Sequence, residues 1–435
     1  MKSLIALSLL LAVPAAARAP SIPTADAPQL AALGSNAVGL TQITVAVPGT
    51  PRALAVMLWY PAAHAGGVAE TYRRHLEPAT GAALDITTEG IATAGALPLA
   101  GRFPLVVLSH GFGGWAGGMT YLAENLASKG YVVASIDHGD GQGGSAGDAG
   151  RLRVAGSIIN RARDQQAVIA MFTALNRYHK PWIGDHVDTG TIAVIGYSMG
   201  GFGVLATAGA PYDKASSTVT SLGGHLDDQT VRSPIPGLRA VVAIAPWGGQ
   251  PPYRAWTPAA LAGIAVPSLF IAGDHDDVSG YAEGTHWLFE HTTRSDRWLL
   301  TYNEARHNVG GNPPPPETLA RPDLAENFAE PVWRSDRITA INQHFITAFL
   351  DRFLKGDAAH GAYLDVPVAD SDDAVWTPQP AGPGFAGPAQ ARYWPGFQRR
   401  WLLGLRLNHA RAERPAGASR AAPRDRKKPA LRRVE

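Results

Sequence analysis

A serine between two glycines gives this chain its clearest chemical signal. Ser198 lies in the segment 196–200, Gly-Tyr-Ser-Met-Gly, which directly follows the apolar run 191–195. A sharp turn from a buried strand into a helix brings the two backbones together, so positions on either side of the serine must lack side chains. Gly196 and Gly200 meet this requirement. We therefore predict that Ser198 is a nucleophile presented at such a turn.

A serine hydroxyl attacks a carbonyl carbon efficiently only when a base takes its proton, and an acid must orient that base. The base is expected after the apolar run 298–302, where a short loop leads to His307. Two other histidines, His286 and His291, fall inside the predicted helix 282–291. We therefore assign His307 as the general base.

The orienting acid is expected after another apolar run, 267–272, which is followed by Gly273. Three carboxylates come next, those of Asp274, Asp276 and Asp277. We choose Asp276, because a turn that begins at Gly273 can direct this side chain back toward the serine. Asp277 and then Asp274 remain the alternatives.

The tetrahedral intermediate of acyl transfer also needs two backbone N–H donors beside its negatively charged oxygen. Met199, the residue after the serine, is expected to supply one. The second is expected from the loop 109–114, Ser-His-Gly-Phe-Gly-Gly, in which we assign the N–H of Phe112. A nucleotide phosphate could also be held by a glycine cluster, but neither of the usual phosphate-binding patterns follows here.

These residues can converge only if a sheet brings the ends of its strands together. Near-continuous apolar runs indicate strands that are buried on both faces. They are 104–109, 131–136, 191–195, 239–245, 267–272 and 298–302. Helices are predicted at 119–128, 157–176 and 335–353, and the runs 42–47 and 53–59 predict an antiparallel hairpin. The expected fold class is α/β: a mostly parallel central sheet with helices on both faces and this hairpin at its N-terminal edge.

The 435-residue chain has uneven charge and contains no cysteine, which excludes disulfides and thiolate metal sites. Residues 1–19 have the lysine, apolar run and alanine-rich end typical of a secretory signal peptide. The last 25 residues carry nine Lys or Arg against three acidic residues, although the net charge is only +2. We expect one catalytic domain over 20–405, with its core at 38–357 and an extension at 358–405, then a basic disordered tail at 406–435.

Five segments together resemble the α/β-hydrolases of the branch that includes dienelactone-hydrolase-like proteins, platelet-activating-factor acetylhydrolases and polyester-degrading cutinases. They are 58–61, 109–114, 126–131, 196–201 and 273–276. The resemblance covers about residues 38–357. It implies the α/β-hydrolase fold, with Ser198 as nucleophile, His307 as base and Asp276 as acid. Phe112 and Met199 would be the oxyanion donors.

Two aromatic residues near the serine are candidates for contact with the substrate. Trp247 matches a tryptophan that lies beside the substrate in polyester hydrolases; a packed core aromatic is the alternative. Tyr197 precedes the nucleophile directly. Together with Phe112 and Met199, these side chains suggest a cleft with apolar walls.

The residues and the resemblance predict an exported serine hydrolase, periplasmic or secreted, that cleaves carboxylic esters through an acyl-enzyme. The substrate could be a lipid, a polymer or a small ester. An amidase or peptidase on the same fold and a non-catalytic binding protein remain the alternatives. No cofactor, metal, nucleic-acid partner or integral membrane span is expected, and the sequence leaves the oligomeric state open.

Overall fold

An eleven-stranded sheet forms the centre of the molecule. The computed structural model describes residues 24–64, 66–78, 81–140, 147–177, 184–223, 225–226, 234–376 and 390–413. The predicted signal peptide lies outside these ranges. In chain order the strands are β1 (Ala37–Ala46), β2 (Ala53–Ala62), β3 (Ala69–Leu76), β4 (Leu84–Ala94), β5 (Phe103–Ser109), β6 (Val132–Asp137), β7 (Val187–Tyr197), β8 (Leu238–Ile244), β9 (Ser268–Gly273), β10 (Arg297–Tyr302) and β11 (Leu405–Ala410).

The middle of the sheet is parallel. Across it, β6, β5, β7, β8, β9 and β10 are neighbours in this order, and each adjacent pair runs parallel. Every residue of β9 and β10 is buried, as their near-continuous apolar sequence predicts for strands covered on both faces. The predicted α/β fold class is confirmed.

Helices cover both faces of the sheet. In chain order the α-helices of the described residues are α1 (Thr120–Ser128), α2 (Gly147–Arg177), α3 (Met199–Thr207), α4 (Ser217–Thr220), α5 (Pro258–Leu261), α6 (Trp287–His291), α7 (Pro316–Leu319), α8 (Pro322–Ala325), α9 (Ser335–Leu350) and α10 (Ala358–Gly361). Apolar residues of α1 and α9 pack on one face, and those of α2 and α3 on the other. None of the helices in the described ranges combines the length and apolar character that crossing a bilayer requires.

Helix α2 begins ten positions before the predicted start at residue 157. The added segment, 147–156, contains three glycines, which lower helix propensity. Val154 and Ala155 nevertheless pack against the apolar core, and this tertiary packing outweighs the local preference.

The N-terminal edge of the sheet has one more hairpin than the sequence predicts. The expected hairpin forms as β1 and β2, which pair antiparallel. A second antiparallel hairpin, β3 and β4, lies outside it and joins β1 through a short parallel pairing of β4. Strand β3 therefore forms the edge. Its sequence, Ala-Glu-Thr-Tyr-Arg-Arg-His-Leu, is largely polar and lacks the apolar run that marks the predicted strands.

The other edge is formed by the C-terminal strand β11, which pairs antiparallel with β10. This strand crosses the boundary predicted at residue 405, so the start of the predicted disordered tail belongs to the sheet. Leu405 and Leu407 are buried and alternate with partly exposed residues. Sheet pairing of this alternating segment explains why it is ordered despite the basic residues that follow it.

Candidate active site

The turn between β7 and α3 holds Ser198 in a backbone conformation that few side chains adopt. Its φ is 54° and its ψ is −115°, and such strain persists only where the surroundings enforce it. A Cβ on Gly200 would lie 1.9 Å from the carbonyl oxygen of Ser109, and one on Gly196 would lie 2.3 Å from the carbonyl of Gly200. Close backbone packing therefore requires the two glycines, and the turn predicted at Ser198 is present.

Gly200→Ala is expected to destabilise the protein, because the added methyl group would overlap a backbone oxygen that cannot move aside freely. Overpacking commonly costs about 1–3 kcal/mol, and we expect a loss of about 3 kcal/mol in the free energy of unfolding. Chemical denaturation measures it. Gly156→Ala in α2 is the matched control: a Cβ there meets nothing within 4 Å, and alanine is favoured over glycine in a helix by about 0.5–1 kcal/mol. Equal stability of the two variants would contradict this packing.

Ser198, His307 and Asp276 form a continuous hydrogen-bonded chain. Nε2 of His307 lies 2.9 Å from Oγ of Ser198, and Nδ1 lies 3.0 Å from each carboxylate oxygen of Asp276. All three residues are buried, with 8%, 9% and 7% of the surface of Ser198, His307 and Asp276 exposed. This arrangement can pass the serine proton to the imidazole while the carboxylate stabilises the imidazolium.

The backbone that follows Asp276 fixes its direction and charge. Oδ1 accepts N–H groups from Val278 at 2.9 Å and from Ser279 at 2.8 Å. Burial alone would raise the pKa of the Asp276 carboxyl, but the hydrogen bond and charge of His307 and these two N–H groups outweigh it and lower the pKa. Asp276 is therefore an anion at neutral pH, as an orienting acid must be.

The competing aspartates and histidines make other contacts. Asp274 accepts the backbone N–H of Glu304 at 2.6 Å, and Asp277 pairs with Arg306 at 3.0 Å. The competing histidines lie in the helical segment 281–291, where the sequence predicts a helix. Of the three aspartates after β9, it is Asp276 that the fold brings to His307.

The loop after β5 passes directly beside Ser198. A Cβ on Gly111 would lie 3.2 Å from Cβ of Ser198, so a larger residue would crowd this approach. Phe112 follows in the loop and lines the cavity next to Ser198. Met199 is the first residue of α3, where backbone N–H groups have no partner within the helix. The two predicted oxyanion donors thus belong to backbone segments that lie beside Ser198.

A cavity of about 1180 Å³ opens onto Ser198 and His307. The loop 110–115 forms one wall. The hairpin of β3 and β4 and the segment 323–331 form others, and Pro315 from the proline-rich stretch 313–316 also lines the space. Much of the cavity surface therefore comes from segments outside the parallel sheet.

Tyr197 and Trp247 occupy different places. Tyr197 lines the cavity, and its hydroxyl donates to the carbonyl oxygen of His307 at 3.1 Å. The backbone N–H of Trp247 donates to the carbonyl oxygen of Ser198 at 3.1 Å, but the half-buried ring packs against Phe202 and Tyr253 at centroid distances of 5.7 and 5.5 Å. The ring is not among the side chains that line this cavity, and contact of Trp247 with the substrate stays a prediction.

Two known families match parts of the chain. Residues 102–248 match the family of serine aminopeptidases, S33, and residues 51–147 match platelet-activating factor acetylhydrolase, isoform II. These matches and the sheet topology settle the superfamily. The chain is an α/β-hydrolase. Parts of it are similar to platelet-activating-factor acetylhydrolases and to cutinases.

Individual relatives of this α/β-hydrolase match about half of it. Bis(hydroxyethyl) terephthalate hydrolase of Streptomyces coelicolor is 23% identical over 208 residues, 48% of this chain and 51% of that protein. Cutinase est1 of Thermobifida alba is 25% identical over 203 residues, 46% of this chain and 52% of that protein. For a cutinase of Thermobifida fusca the identity is 25% over 41% of this chain and 43% of that protein. The chain thus spans about half the length of the first relatives, or less.

The α/β-hydrolase also contains a second serine, histidine and aspartate in hydrogen-bonded order, which no sequence motif signals. Oγ of Ser109 lies 2.9 Å from Nε2 of His138, whose Nδ1 lies 2.8 Å from Asp164. Ser109 is fully buried, so a substrate cannot reach it. Burial, with the nearby charge of Arg161, lowers the pKa of His138 well below its usual value. This second chain is an internal polar network.

One group within the described ranges could offer ligands to a metal ion: Asp351, Asp357 and His360. Lys355 already pairs with Asp351 at 2.8 Å, and Nδ1 of His360 lies 2.6 Å from the same carboxylate. These contacts account for the cluster as an ion-pair network.

Proposed function

We propose that this α/β-hydrolase cleaves carboxylic esters through an acyl-enzyme formed on Ser198. The observation that carries the proposal is the hydrogen-bonded chain from Ser198 through His307 to Asp276, which starts at a strained turn between strand and helix. The relatives support an ester as the substrate, since one is a terephthalate ester hydrolase and others are cutinases.

The reaction begins when Nε2 of His307 accepts the proton of Ser198 and Oγ attacks the ester carbonyl. The N–H groups of Phe112 and Met199 stabilise the negative charge that develops on the carbonyl oxygen. The intermediate then expels the alcohol, which takes the proton from His307. Water attacks the acyl-enzyme by the same route, releases the carboxylic acid and restores Ser198.

Asp276 serves both half-reactions through His307. Its carboxylate faces Nδ1, which leaves Nε2 directed at the serine and stabilises the positive charge of the imidazolium. The lowered pKa of Asp276 keeps this interaction intact at neutral pH. Tyr197 supports the same arrangement, because its hydroxyl holds the backbone carbonyl of His307.

We propose export for the same protein on the basis of residues 1–19, whose composition is that of a signal peptide. The mature enzyme would then act in the periplasm or the medium. N-terminal sequencing of protein recovered from both fractions tests this. A mature protein that retains Met1 would contradict it.

An amide or peptide bond is the second candidate for the bond cleaved. The match of residues 102–248 to the serine aminopeptidase family favours this alternative. The same three side chains would serve, because only the leaving group differs. An ester and an amide with the same acyl group therefore separate the two functions.

We expect kcat/KM for p-nitrophenyl butyrate to exceed that for butyryl p-nitroanilide by about 100-fold, or about 2.7 kcal/mol of activation free energy. Release of nitrophenol and nitroaniline measures both, and Ser198→Ala provides the background rate. A series of peptidyl p-nitroanilides with free and blocked N-termini completes the comparison. Faster cleavage of any of these amides than of the ester would favour the peptidase.

A further inference from the structure

The peptide unit between Gly111 and Phe112 is held from behind by two buried side chains and by the backbone N–H of Gly114, which donates to the carbonyl oxygen of Gly111 at 3.1 Å. Its carbonyl oxygen, on Gly111, accepts a hydrogen bond from Nη2 of Arg161 at 3.2 Å and lies 2.6 Å from Nδ1 of His110. Nε2 of His110 accepts the backbone N–H of His138 at 3.2 Å, so the proton of a neutral ring is on Nδ1. Both contacts therefore donate to the same carbonyl oxygen.

The charges behind this loop are almost completely buried. Arg161, from α2, has no exposed surface, and its guanidinium pairs with Asp140 at 2.7 Å. Burial, with the charge of Arg161 and the neighbouring His138, lowers the pKa of His110 to about 3, so this ring is neutral at neutral pH. A buried ion pair is often no more stabilising than apolar side chains of the same volume. Stability alone therefore does not account for an arginine here.

We propose that Arg161 is a positioning residue that orients the N–H of Phe112 toward the oxyanion. In a trans peptide the C=O and N–H groups point in opposite directions, and the peptide between Gly111 and Phe112 is trans. Donors behind the Gly111 carbonyl thus direct the Phe112 N–H forward. The short distance that a Cβ on Gly111 would have to Ser198, 3.2 Å, places this peptide unit against the nucleophile. The inference rests on the proposed function, since the oxyanion forms only if Ser198 attacks a carbonyl.

A second arginine in the same network provides an internal comparison. Arg52 pairs with the buried Asp164 at 2.7 Å and reaches the backbone oxygen of His138 at 3.4 Å. Both arginines thus pair with an aspartate of this polar network, although the Arg52 side chain is 28% exposed and holds Asp164 through both terminal nitrogens. Of these two arginines, it is Arg161 whose guanidinium donates to the carbonyl oxygen of Gly111.

Arg161→Lys and Arg52→Lys form a matched pair of variants. Nη2 of Arg161 donates to both Asp140 and Gly111. Lysine keeps the positive charge beside the aspartate, but its ammonium ends one bond short of the position of Nη2 and so does not reproduce both contacts. We expect Arg161→Lys to lower kcat for p-nitrophenyl butyrate by about 10- to 100-fold, below the about 10²- to 10³-fold loss on removal of an oxyanion donor. KM should stay within about twofold, because the ester ground state has no oxyanion to stabilise.

A trifluoromethyl ketone provides a readout that a purely structural role would not change. It forms a tetrahedral adduct with an active serine, so its inhibition constant should rise in Arg161→Lys by about the same factor as kcat falls. Arg52→Lys should change both by less than about threefold. Thermal unfolding of the two variants separates these effects from a general loss of stability.

Equal losses of ketone affinity in the two lysine variants would overturn the proposal, as would an effect of Arg161→Lys on KM alone. If Arg161→Lys does not fold, Arg161→Met combined with Asp140→Asn removes both buried charges together, and the same loss of ketone affinity is expected. Ester turnover that is as fast in Ser198→Ala as in the unmodified protein would instead overturn the proposed function. The two failures are therefore distinguishable.

Discussion

Ser198→Ala is expected to lower kcat for p-nitrophenyl esters by about 10⁶-fold, the loss that follows removal of a nucleophile that acts as one unit with its base. The physical reason is that alanine has no oxygen to form the acyl-enzyme. The hydrogen-bonded chain of His307 and Asp276 contains no other hydroxyl that could replace that of Ser198. Turnover of p-nitrophenyl butyrate by the variant and the unmodified enzyme, at equal folded concentration, measures the loss.

The buried network of Ser109, His138 and Asp164 also contains a serine beside a histidine, so the modified serine must be identified directly. A fluorophosphonate should add to Ser198, 8% exposed, and leave the fully buried Ser109 unmodified; peptide mass mapping locates the adduct. Ser217→Ala, which removes an exposed hydroxyl that donates to Pro252, should leave turnover within about twofold, as expected for surface substitutions. An adduct on Ser109, or full activity in Ser198→Ala, would show that the nucleophile has been assigned incorrectly.

The parallel sheet could be predicted because each of its strands carries its own signal. Residues 192–196 of β7 and all of β9 are buried, and their sequences are nearly continuous apolar runs. Residues at the carboxyl ends of such strands meet along one edge. The sequence positions of Ser198, Asp276 and His307 therefore predicted a meeting that the fold provides.

The edge strands carried weaker signals. Strand β3 lies at the rim of the sheet, where Tyr72 is its one buried residue, so its largely polar composition resembles that of a loop. Strand β11 has a period-two pattern, with Leu405 and Leu407 buried, but it stands just before a strongly basic segment. The basic composition of the residues that follow β11 obscured the alternation of apolar and polar residues within its six positions.

The direction in which a side chain points was the other feature that could not be predicted from the sequence. The resemblance placed Trp247 near the nucleophile, and its backbone does contact Ser198. Its ring direction is set by packing against Phe202 and Tyr253, which no local pattern encodes. In the same way, the contact between Arg161 and Gly111 joins residues 50 positions apart and can be recognised only in the folded protein.

The parts of the site that sequence reasoning missed are those that shape the cavity. The hairpin of β3 and β4 and the segment that follows the proline-rich stretch are joined across the site: Thr87 donates to Glu317 at 2.9 Å, and Arg321 donates to the carbonyl of Ala82 at 3.2 Å. The proposed catalytic residues thus follow strands of the parallel sheet, which the sequence predicts. Substrate selection is expected to depend on the peripheral segments, which vary most readily in such folds.

Asp276→Asn is expected to lower kcat for p-nitrophenyl butyrate by about 10⁴-fold, the loss seen when an orienting carboxylate becomes an amide. Asparagine retains an oxygen that can accept the N–H groups of Val278 and Ser279, so the turn should keep its shape. It has no negative charge to stabilise the imidazolium, and its NH₂ group can favour the wrong tautomer of His307. Initial rates, with circular dichroism to confirm folding, measure the effect.

Asp274→Asn and Asp277→Asn are the matched controls, because all three aspartates follow the same strand and the substitution is the same. Asp274 contacts the backbone N–H of Glu304, and Asp277 contacts Arg306, so neither change alters the partner of His307. Each should lower kcat by less than about tenfold. A larger loss of kcat in Asp277→Asn than in Asp276→Asn would assign the orienting role to Asp277. The reaction depends most on the charge of the carboxylate that faces Nδ1 of His307 during turnover.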